Sequence, residues 1–84
     1  MELIRWSYAR RKVVRAYFDK YPVSTFYFRK IRSYYYLYSS EWNENDPVIT
    51  GEDKEQMHLL INDTLGRRQA YENRKSVQYK ESYP

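Results

Sequence analysis

The sequence predicts an all-α fold, a small three-helix domain in which two basic helices are crossed by a longer third helix. Apolar and aromatic residues recur at spacings of three and four along three segments, a pattern typical of one helix face. Pro22, Pro47 and Gly51 separate the segments, because proline and glycine interrupt regular structure. With 84 residues and no cysteine, we expect one domain over 1–78 without disulfides, followed by a flexible tail over 79–84.

The first segment, residues 2–20, is predicted to be a helix with one apolar stripe. Arg10 falls within this stripe, where its guanidinium needs a polar partner or a path to solvent along its aliphatic stem. The stripe contains Leu3, Trp6, Val13, Val14, Tyr17, Phe18 and Tyr21.

The second segment, from Ser24 to Trp42, is also predicted to be a helix. Its aromatic and β-branched residues suggest a strand as the alternative. However, the stretch FYFRKIRSYYYLY contains no Asn-Gly or Gly-X turn of the kind that favours a hairpin, so we favour the helix. Because a helix turns 100° per residue, consecutive tyrosines cannot all face one core. We expect Tyr35 and Tyr38 in the core and Tyr36 at the surface.

Residues 43–51 are predicted to be a loop, followed by a third helix over 52–77. Thr50 and Asp53 have the spacing of a helix N-terminal capping box. A second, thinner stripe of mostly small residues lies away from the main apolar stripe of this helix, and small residues let two backbones approach closely. It consists of Leu59, Gly66, Ala70 and Val77, and we predict that it forms a homodimer interface.

Charge is distributed in blocks along the chain. Residues 1–38 carry a net charge of +7, residues 39–65 carry −6, and residues 66–84 carry +3. Basic blocks of this kind favour a polyanionic partner. Alternatively, the blocks neutralise one another within the fold or between subunits.

Basic residues interleaved with tyrosine indicate a nucleic-acid-binding surface, for DNA or RNA, on the outer sides of the first two helices. Arginine and lysine would contact phosphates, and the tyrosines would stack on bases or pack on sugars. The same residue types also serve as anchors on protein-binding surfaces, or the tyrosines only cover a thin core. The candidate site residues are Arg5, Tyr8, Arg11, Lys12, Arg15, Arg29, Arg32 and Tyr36.

The sequence does not favour an enzyme, a metal site or a bound cofactor. His58 is the only histidine and has no cysteine or serine–aspartate arrangement to complete a triad. Gly51 and Gly66 are the only glycines, so we expect no glycine-rich phosphate loop. The N-terminus lacks the apolar region of a signal peptide, and no apolar run has membrane-spanning length. We therefore expect a cytoplasmic protein without membrane contacts.

The order of four stretches resembles the N-terminal part of the RinA/ArpU-type regulators, the late-transcription activators of phages that infect Gram-positive bacteria. The stretches are RKVVRAYFDKYP, FYFRKIRSYYYLY, NENDPVITGEDKEQM and HLLINDTLGRRQAYENRKSV. The resemblance covers roughly residues 10–78, and the chain contains no helix-turn-helix to follow them. It implies a phage or prophage setting and helical self-association, without implying a sequence-reading site.

Two functions follow as expectations. The first is a small phage-type regulatory protein that associates with nucleic acid through its Arg/Lys/Tyr surface. The second is a phage-type inhibitor or adaptor that binds a host protein, for example a nucleic-acid enzyme.

Overall fold

The structure is a computed structural model that describes residues 1–81, with side chains through residue 74, and it shows that the predicted all-α helical bundle is wrong. Four strands precede two helices: β1 (Leu3–Arg10), β2 (Val13–Phe18), β3 (Tyr21–Ile31), β4 (Tyr34–Glu41), α1 (Gly51–Thr64) and α2 (Arg68–Glu81). The strands pair antiparallel in chain order, so β1 and β4 form the two edges of the sheet. Residues 82–84 of the predicted tail lie outside the described residues.

Alternation along β2 explains why a segment predicted to be helical is extended. Val14, Ala16 and Phe18 are fully buried, whereas Arg15 and Tyr17 between them are half-buried on the other side. A spacing of four residues places side chains together on a helix, but it is also an even number and does the same on a strand. The β-branched and aromatic composition then decides for the strand.

Two of the three hairpins form with a basic residue in the left-handed backbone region, where glycine is usual. Lys12 has φ 63° in the β1–β2 turn, and Arg32 has φ 59° in the β3–β4 turn. Such a conformation costs an L-residue about 1–2 kcal/mol, which pairing of the flanking strands has to offset. The absence of Asn-Gly and Gly-X was therefore no argument against hairpins.

The helical part of the chain begins as predicted and then divides. Thr50 caps α1, and its hydroxyl accepts a hydrogen bond from the Asp53 amide at 3.1 Å, which confirms the predicted cap. The single helix predicted over 52–77 is wrong, because Gly66 has φ 73° in the turn between α1 and α2. Neither helix, in the part of the chain that is described, is long and apolar enough to cross a membrane.

The core lies between α1 and one side of the sheet, which we call the helix-covered face. Met57 and Ile61 of α1 are fully buried against this face. The ring of Phe18 meets those of Phe26 and Phe28 edge-on, at centroid distances of 5.7 and 6.2 Å. The sheet and core residues of the cluster are Val14, Ala16, Phe18, Tyr21, Phe26, Phe28 and Tyr35. The opposite side of the sheet, the open face, takes no part in this core.

Helix α1 also covers the outer edge of β4. The Asn62 side chain accepts a hydrogen bond from the Tyr35 amide at 2.8 Å and donates to the Tyr35 carbonyl at 2.9 Å. His58 Nε2 accepts from the amide of Leu37 at 3.0 Å. These contacts satisfy backbone groups that an edge strand otherwise leaves unpaired, so the helix is tied to the sheet by polar bonds as well as by apolar packing.

The consecutive tyrosines divide between core and surface as expected. Tyr35 is 6% exposed and Tyr36 is 38% exposed. The cause is the alternation of side chains along a strand, and not the rotation of a helix.

Candidate functional site

The open face carries arginines and tyrosines that alternate from strand to strand. Arg5 of β1 is paired in register with Tyr17 of β2, and Arg15 of β2 is paired with Tyr27 of β3. Directly opposed residues on antiparallel strands share one face. We call the connected set Arg5, Tyr17, Arg15, Tyr27, Arg29 and Tyr38 the Arg–Tyr row.

Each arginine of the row lies near a tyrosine ring on the next strand. The guanidinium carbon of Arg5 is 4.1 Å from the ring centroid of Tyr17, and that of Arg29 is 4.6 Å from the ring centroid of Tyr38. The corresponding distance from Arg15 to Tyr27 is 6.0 Å. One cation–π contact therefore crosses each of the three strand boundaries.

The two edge strands, β1 and β4, each contain a bulge near a contact that joins them across the open face. Register shifts occur between Tyr8 and Arg10 in β1 and opposite Tyr38 in β4. A bulge re-aims the side chain of its extra residue. Arg10 Nη2 donates a hydrogen bond to the Tyr38 hydroxyl at 3.1 Å, although the two residues belong to opposite edge strands.

Val13 shows how closely these arginines cover the sheet. It pairs with Arg10 on one side and Arg29 on the other, yet it is only 3% exposed. Because the aliphatic stems of arginine cover apolar surface while the charged ends stay in water, the two arginines account for its burial. The open face is thus a layer of cations over the sheet.

One carboxylate belongs to this surface. The Tyr27 hydroxyl donates a hydrogen bond to Glu41 Oε1 at 2.8 Å. This bond raises the pKa of Tyr27, which the nearby Arg15 opposes. Tyr27 is therefore a neutral ring and a hydrogen-bond donor at physiological pH, and Glu41 makes the β4 end of the face less positive.

The Arg–Tyr contacts are weak enough to exchange for a ligand. A cation over an exposed aromatic ring contributes about 0.5–1 kcal/mol. A hydrogen bond to a charged group contributes about 1.5–3 kcal/mol, and arginine binds phosphate in a bidentate manner. An approaching phosphate can therefore take the guanidinium from the ring, which leaves the ring free for another contact.

The predicted nucleic-acid-binding residues lie in four places. Arg5, Arg15 and Arg29 belong to the Arg–Tyr row. Tyr8 lies on the helix-covered side, because it pairs with buried Val14, and is 60% exposed at the sheet edge. The remaining basic residues lie at the hairpin tips at one end of the sheet; they are Arg11, Lys12 and Arg32. The two tips are neighbours, since the Lys30 amide donates a hydrogen bond to the Lys12 carbonyl at 2.8 Å.

Tyr36 pairs in register with Arg29, but its ring belongs to a different cluster at the β4 edge. The ring stacks on His58 with a centroid distance of 4.3 Å and an interplanar angle of 20°. His58 also stacks near Tyr71 at 5.5 Å, and the Arg74 guanidinium lies 5.5 Å from the Tyr36 ring centroid. Tyr36 therefore helps to hold the helices against the sheet.

Four residues of the open face were not predicted as site residues: Arg10, Tyr17, Tyr27 and Tyr38. The helical interpretation assigned Arg10, Tyr17 and Tyr38 to apolar stripes. An alternation of period two would have found Tyr17 and Tyr27, since Arg15-Ala16-Tyr17 and Tyr27-Phe28-Arg29 each place a buried residue between two outward ones.

The residues of the predicted dimer interface do not form one stripe. Leu59 lies on α1, Gly66 lies in the turn, and Ala70 lies on α2. The side chain of Val77 lies outside the described residues. The interface was derived from a single long helix, so its geometry was wrong, whereas the homodimer itself stays a prediction.

Within residues 1–74, no group of three or more histidine, aspartate or glutamate side chains is arranged to hold a metal ion. The open face therefore offers cations and aromatic rings in place of ligands for a metal. Such a surface is suited to binding, through charge and stacking.

Comparisons with known proteins identify a family. Residues 2–76 match the family described as uncharacterised protein YuzH. No curated protein and no solved structure matches the chain. The family match says nothing of RinA/ArpU-type regulators, and the helix order that carried that resemblance is not the observed one. Because the match covers most of the 84 residues, the chain belongs to the YuzH family.

Proposed function

We propose that this protein binds nucleic acid through the Arg–Tyr row of its open face. The observation that carries the proposal is the continuous alternation of cation and ring across all four strands. Arg5, Arg15 and Arg29 were predicted to contact phosphate, and they share one face with the tyrosines of the row.

The charge distribution of the fold supports this surface. The β1–β2 and β3–β4 turns lie at the same end of the antiparallel sheet and add Arg11, Lys12 and Arg32 to the cations of the open face. Acidic groups lie near the opposite end of the sheet, where Asp53 forms an ion pair with Lys20 and Asp46 accepts a hydrogen bond from the Ser24 hydroxyl. A polyanion is therefore attracted to the open face and to the end of the sheet that carries the β1–β2 and β3–β4 turns.

The test is a salt series of binding measured by fluorescence anisotropy with labelled DNA and RNA oligonucleotides. The variant Arg15→Gln/Arg29→Gln removes two charges from the row. The matched control Lys54→Gln/Arg68→Gln removes two charges from exposed positions on the helices. Each lost phosphate contact should lower the slope of log K against log salt by about 0.7–0.9, so the row variant should lose about 1.5 and the control much less.

Equal effects of the two variants would mean that only net charge matters and that the row is not the site. Failure of the wild-type protein to bind any oligonucleotide at about 50 mM salt would refute the proposal. The phage-type regulatory setting and the cytoplasmic location remain predictions from the sequence.

A protein partner is the second candidate, and a different surface favours it. On edge strand β1, Ile4 is 55%, Trp6 is 36% and Tyr8 is 60% exposed, with Trp6 and Tyr8 packed edge-on at 5.4 Å. Aromatic residues of this kind are frequent anchors of protein interfaces. Trp6→Ala should leave nucleic-acid binding unchanged if the Arg–Tyr row is the binding site, and a loss equal to that of the row variant would assign binding to β1 instead.

A further inference from the structure

We infer that the ligand of the Arg–Tyr row is a single-stranded nucleic acid, whose bases stack on the tyrosines while its phosphates pair with the arginines. The inference rests on the proposed function and narrows it to one class of nucleic acid. It depends on the continuity of the row, the width of the sheet and the accessibility of the rings.

The row is continuous across the sheet. Arg15 and Tyr17 are two residues apart on β2, and Tyr27 and Arg29 are two residues apart on β3, so each pair projects from the same face. Cross-strand contacts join these pairs to Arg5 and to Tyr38. Cation and ring therefore alternate along a row of six residues, with neighbouring residues about 5–7 Å apart. A single strand likewise alternates charged phosphates with flat bases along its length.

The width of the sheet disfavours duplex DNA. Four strands at about 4.8 Å spacing place the outer axes about 14 Å apart before side chains are counted. The major groove is about 12 Å wide and admits a helix or a two-stranded ribbon. The open face can therefore meet only the outside of a duplex, where its tyrosines would find no base to stack on.

The rings are accessible on the open face once the arginines engage phosphate. Tyr38 is 43% exposed, and Tyr17 and Tyr27 are partly exposed. Each ring of the row has a guanidinium as its neighbour. Transfer of that guanidinium to a phosphate uncovers the ring beside it, so that phosphate binding and base stacking occur together. Every base has a flat face, which makes this mode tolerant of sequence.

Glu41 sets the direction of the strand over the face. Its carboxylate accepts from Tyr27 near the end of β4 and repels phosphate there. Arg10, Arg29 and Arg32 lie toward the other end of β3 and β4. We therefore expect the phosphates that cross β3 and β4 to pass on the side of the hairpin tips.

The experiment compares three probes with the same number of phosphates: an oligothymidylate of about 12 nucleotides, an abasic strand and a hairpin duplex. The variant Tyr17→Leu/Tyr38→Leu removes two rings, and the matched control Tyr17→Phe/Tyr38→Phe keeps them. Circular dichroism melts establish that both variants are folded. The readout is the dissociation constant of each probe at fixed salt.

We expect oligothymidylate to bind about tenfold more tightly than the duplex or the abasic strand. The leucine variant should lose about tenfold for oligothymidylate and nothing for the abasic strand, while the phenylalanine variant should stay close to wild type. Equal affinity for all three probes, with strong salt dependence, would overturn the single-strand inference and leave the proposed function intact. Absence of binding to every probe would overturn both.

Discussion

The two faces of this sheet are made from the same strands but differ in burial and in the contacts of their side chains. On β2, Val14, Ala16 and Phe18 are fully buried beneath α1, while Arg15 and Tyr17 alternate with them on the open face. Tyrosine occurs on both faces: Tyr21 is fully buried and Tyr38 is 43% exposed. Residue type alone therefore does not separate core from site in this protein, and position along the strand does.

The faces also differ in what holds them together. The helix-covered face has phenylalanine rings packed edge-on and fully buried. The open face has cation–π contacts at the surface, each of which contributes little to stability. Stability should therefore depend mainly on the helix-covered face, which leaves residues of the open face able to change partners when a ligand binds.

The largest test of this difference uses neighbouring residues of β3. Phe28→Ala should lower the free energy of unfolding by about 3–5 kcal/mol, because it opens a cavity in a fully buried site. Tyr27→Ala, one residue away on the open face, should cost far less. Urea unfolding monitored by circular dichroism measures both. Similar losses for the two variants would contradict the division of the sheet into a stabilising face and a proposed binding face.

Some of the architecture could be predicted from the sequence, and the failures have two physical causes. The loop over 43–50, the Thr50 cap and the division between Tyr35 and Tyr36 agree with expectation. The helices expected over 2–20 and 24–42 were wrong because spacings of four fit both helix and strand. The turns at Lys12 and Arg32 could not be predicted from residue preferences, since both residues adopt a positive φ that glycine usually supplies.

The candidate site was predicted only in part, because its strands were interpreted as helices. Arg5, Arg15 and Arg29 were selected by charge, and charge does not depend on the type of secondary structure. Tyr17 and Tyr38 were missed because a helical wheel placed them in the core. Arg10, which had no explained partner in a helix, donates a hydrogen bond to Tyr38 that only the bulged strands could reveal.

The polar contact between α1 and the edge of β4 gives the second test. Asn62 is fully buried and bonds both the amide and the carbonyl of Tyr35. Asn62→Ala should lower the free energy of unfolding by about 2–3 kcal/mol, because it leaves buried backbone groups without partners. Asp63→Ala is the matched control, since Asp63 is exposed on the same helix. Hydrogen exchange of the Tyr35 amide should quicken in the Asn62 variant, and unchanged exchange would contradict the role of Asn62 in covering the β4 edge.

The third and smallest effect is the pH dependence of the contact that fixes the start of α1 to the helix-covered face. Lys20 Nζ lies 2.8 Å from Asp53 Oδ2, and the buried Tyr21 hydroxyl donates to the same carboxylate. The bond from Lys20, followed by that from Tyr21, lowers the pKa of Asp53 below its ordinary value of 3.8. Burial, followed by the bond to Asp53, raises the pKa of Tyr21 to about 12.

The two shifts act at opposite ends of the pH scale. Asp53 is a stronger acid in the folded protein than in the unfolded chain. Its contribution to folding stability is therefore complete above about pH 4 and is lost as the pH falls below that value. Tyr21 is the weaker acid when folded, so its contribution is complete below about pH 10 and is lost as the pH rises from there towards 12. None of the row residues of the open face is buried, so none makes a comparable contact.

Urea midpoints measured across this pH range, for wild type and for single variants, isolate each group. Asp53→Asn should lower stability by about 2 kcal/mol near neutral pH and should flatten the acid decline. Tyr21→Phe should flatten the alkaline decline, while Arg5→Gln at an exposed position of the open face should leave both declines unchanged. If Asp53→Asn retained the full acid decline, other carboxylates would control stability at low pH. If Arg5→Gln altered either decline, the open face would share in the electrostatics that hold the helix, and the two faces would not be independent.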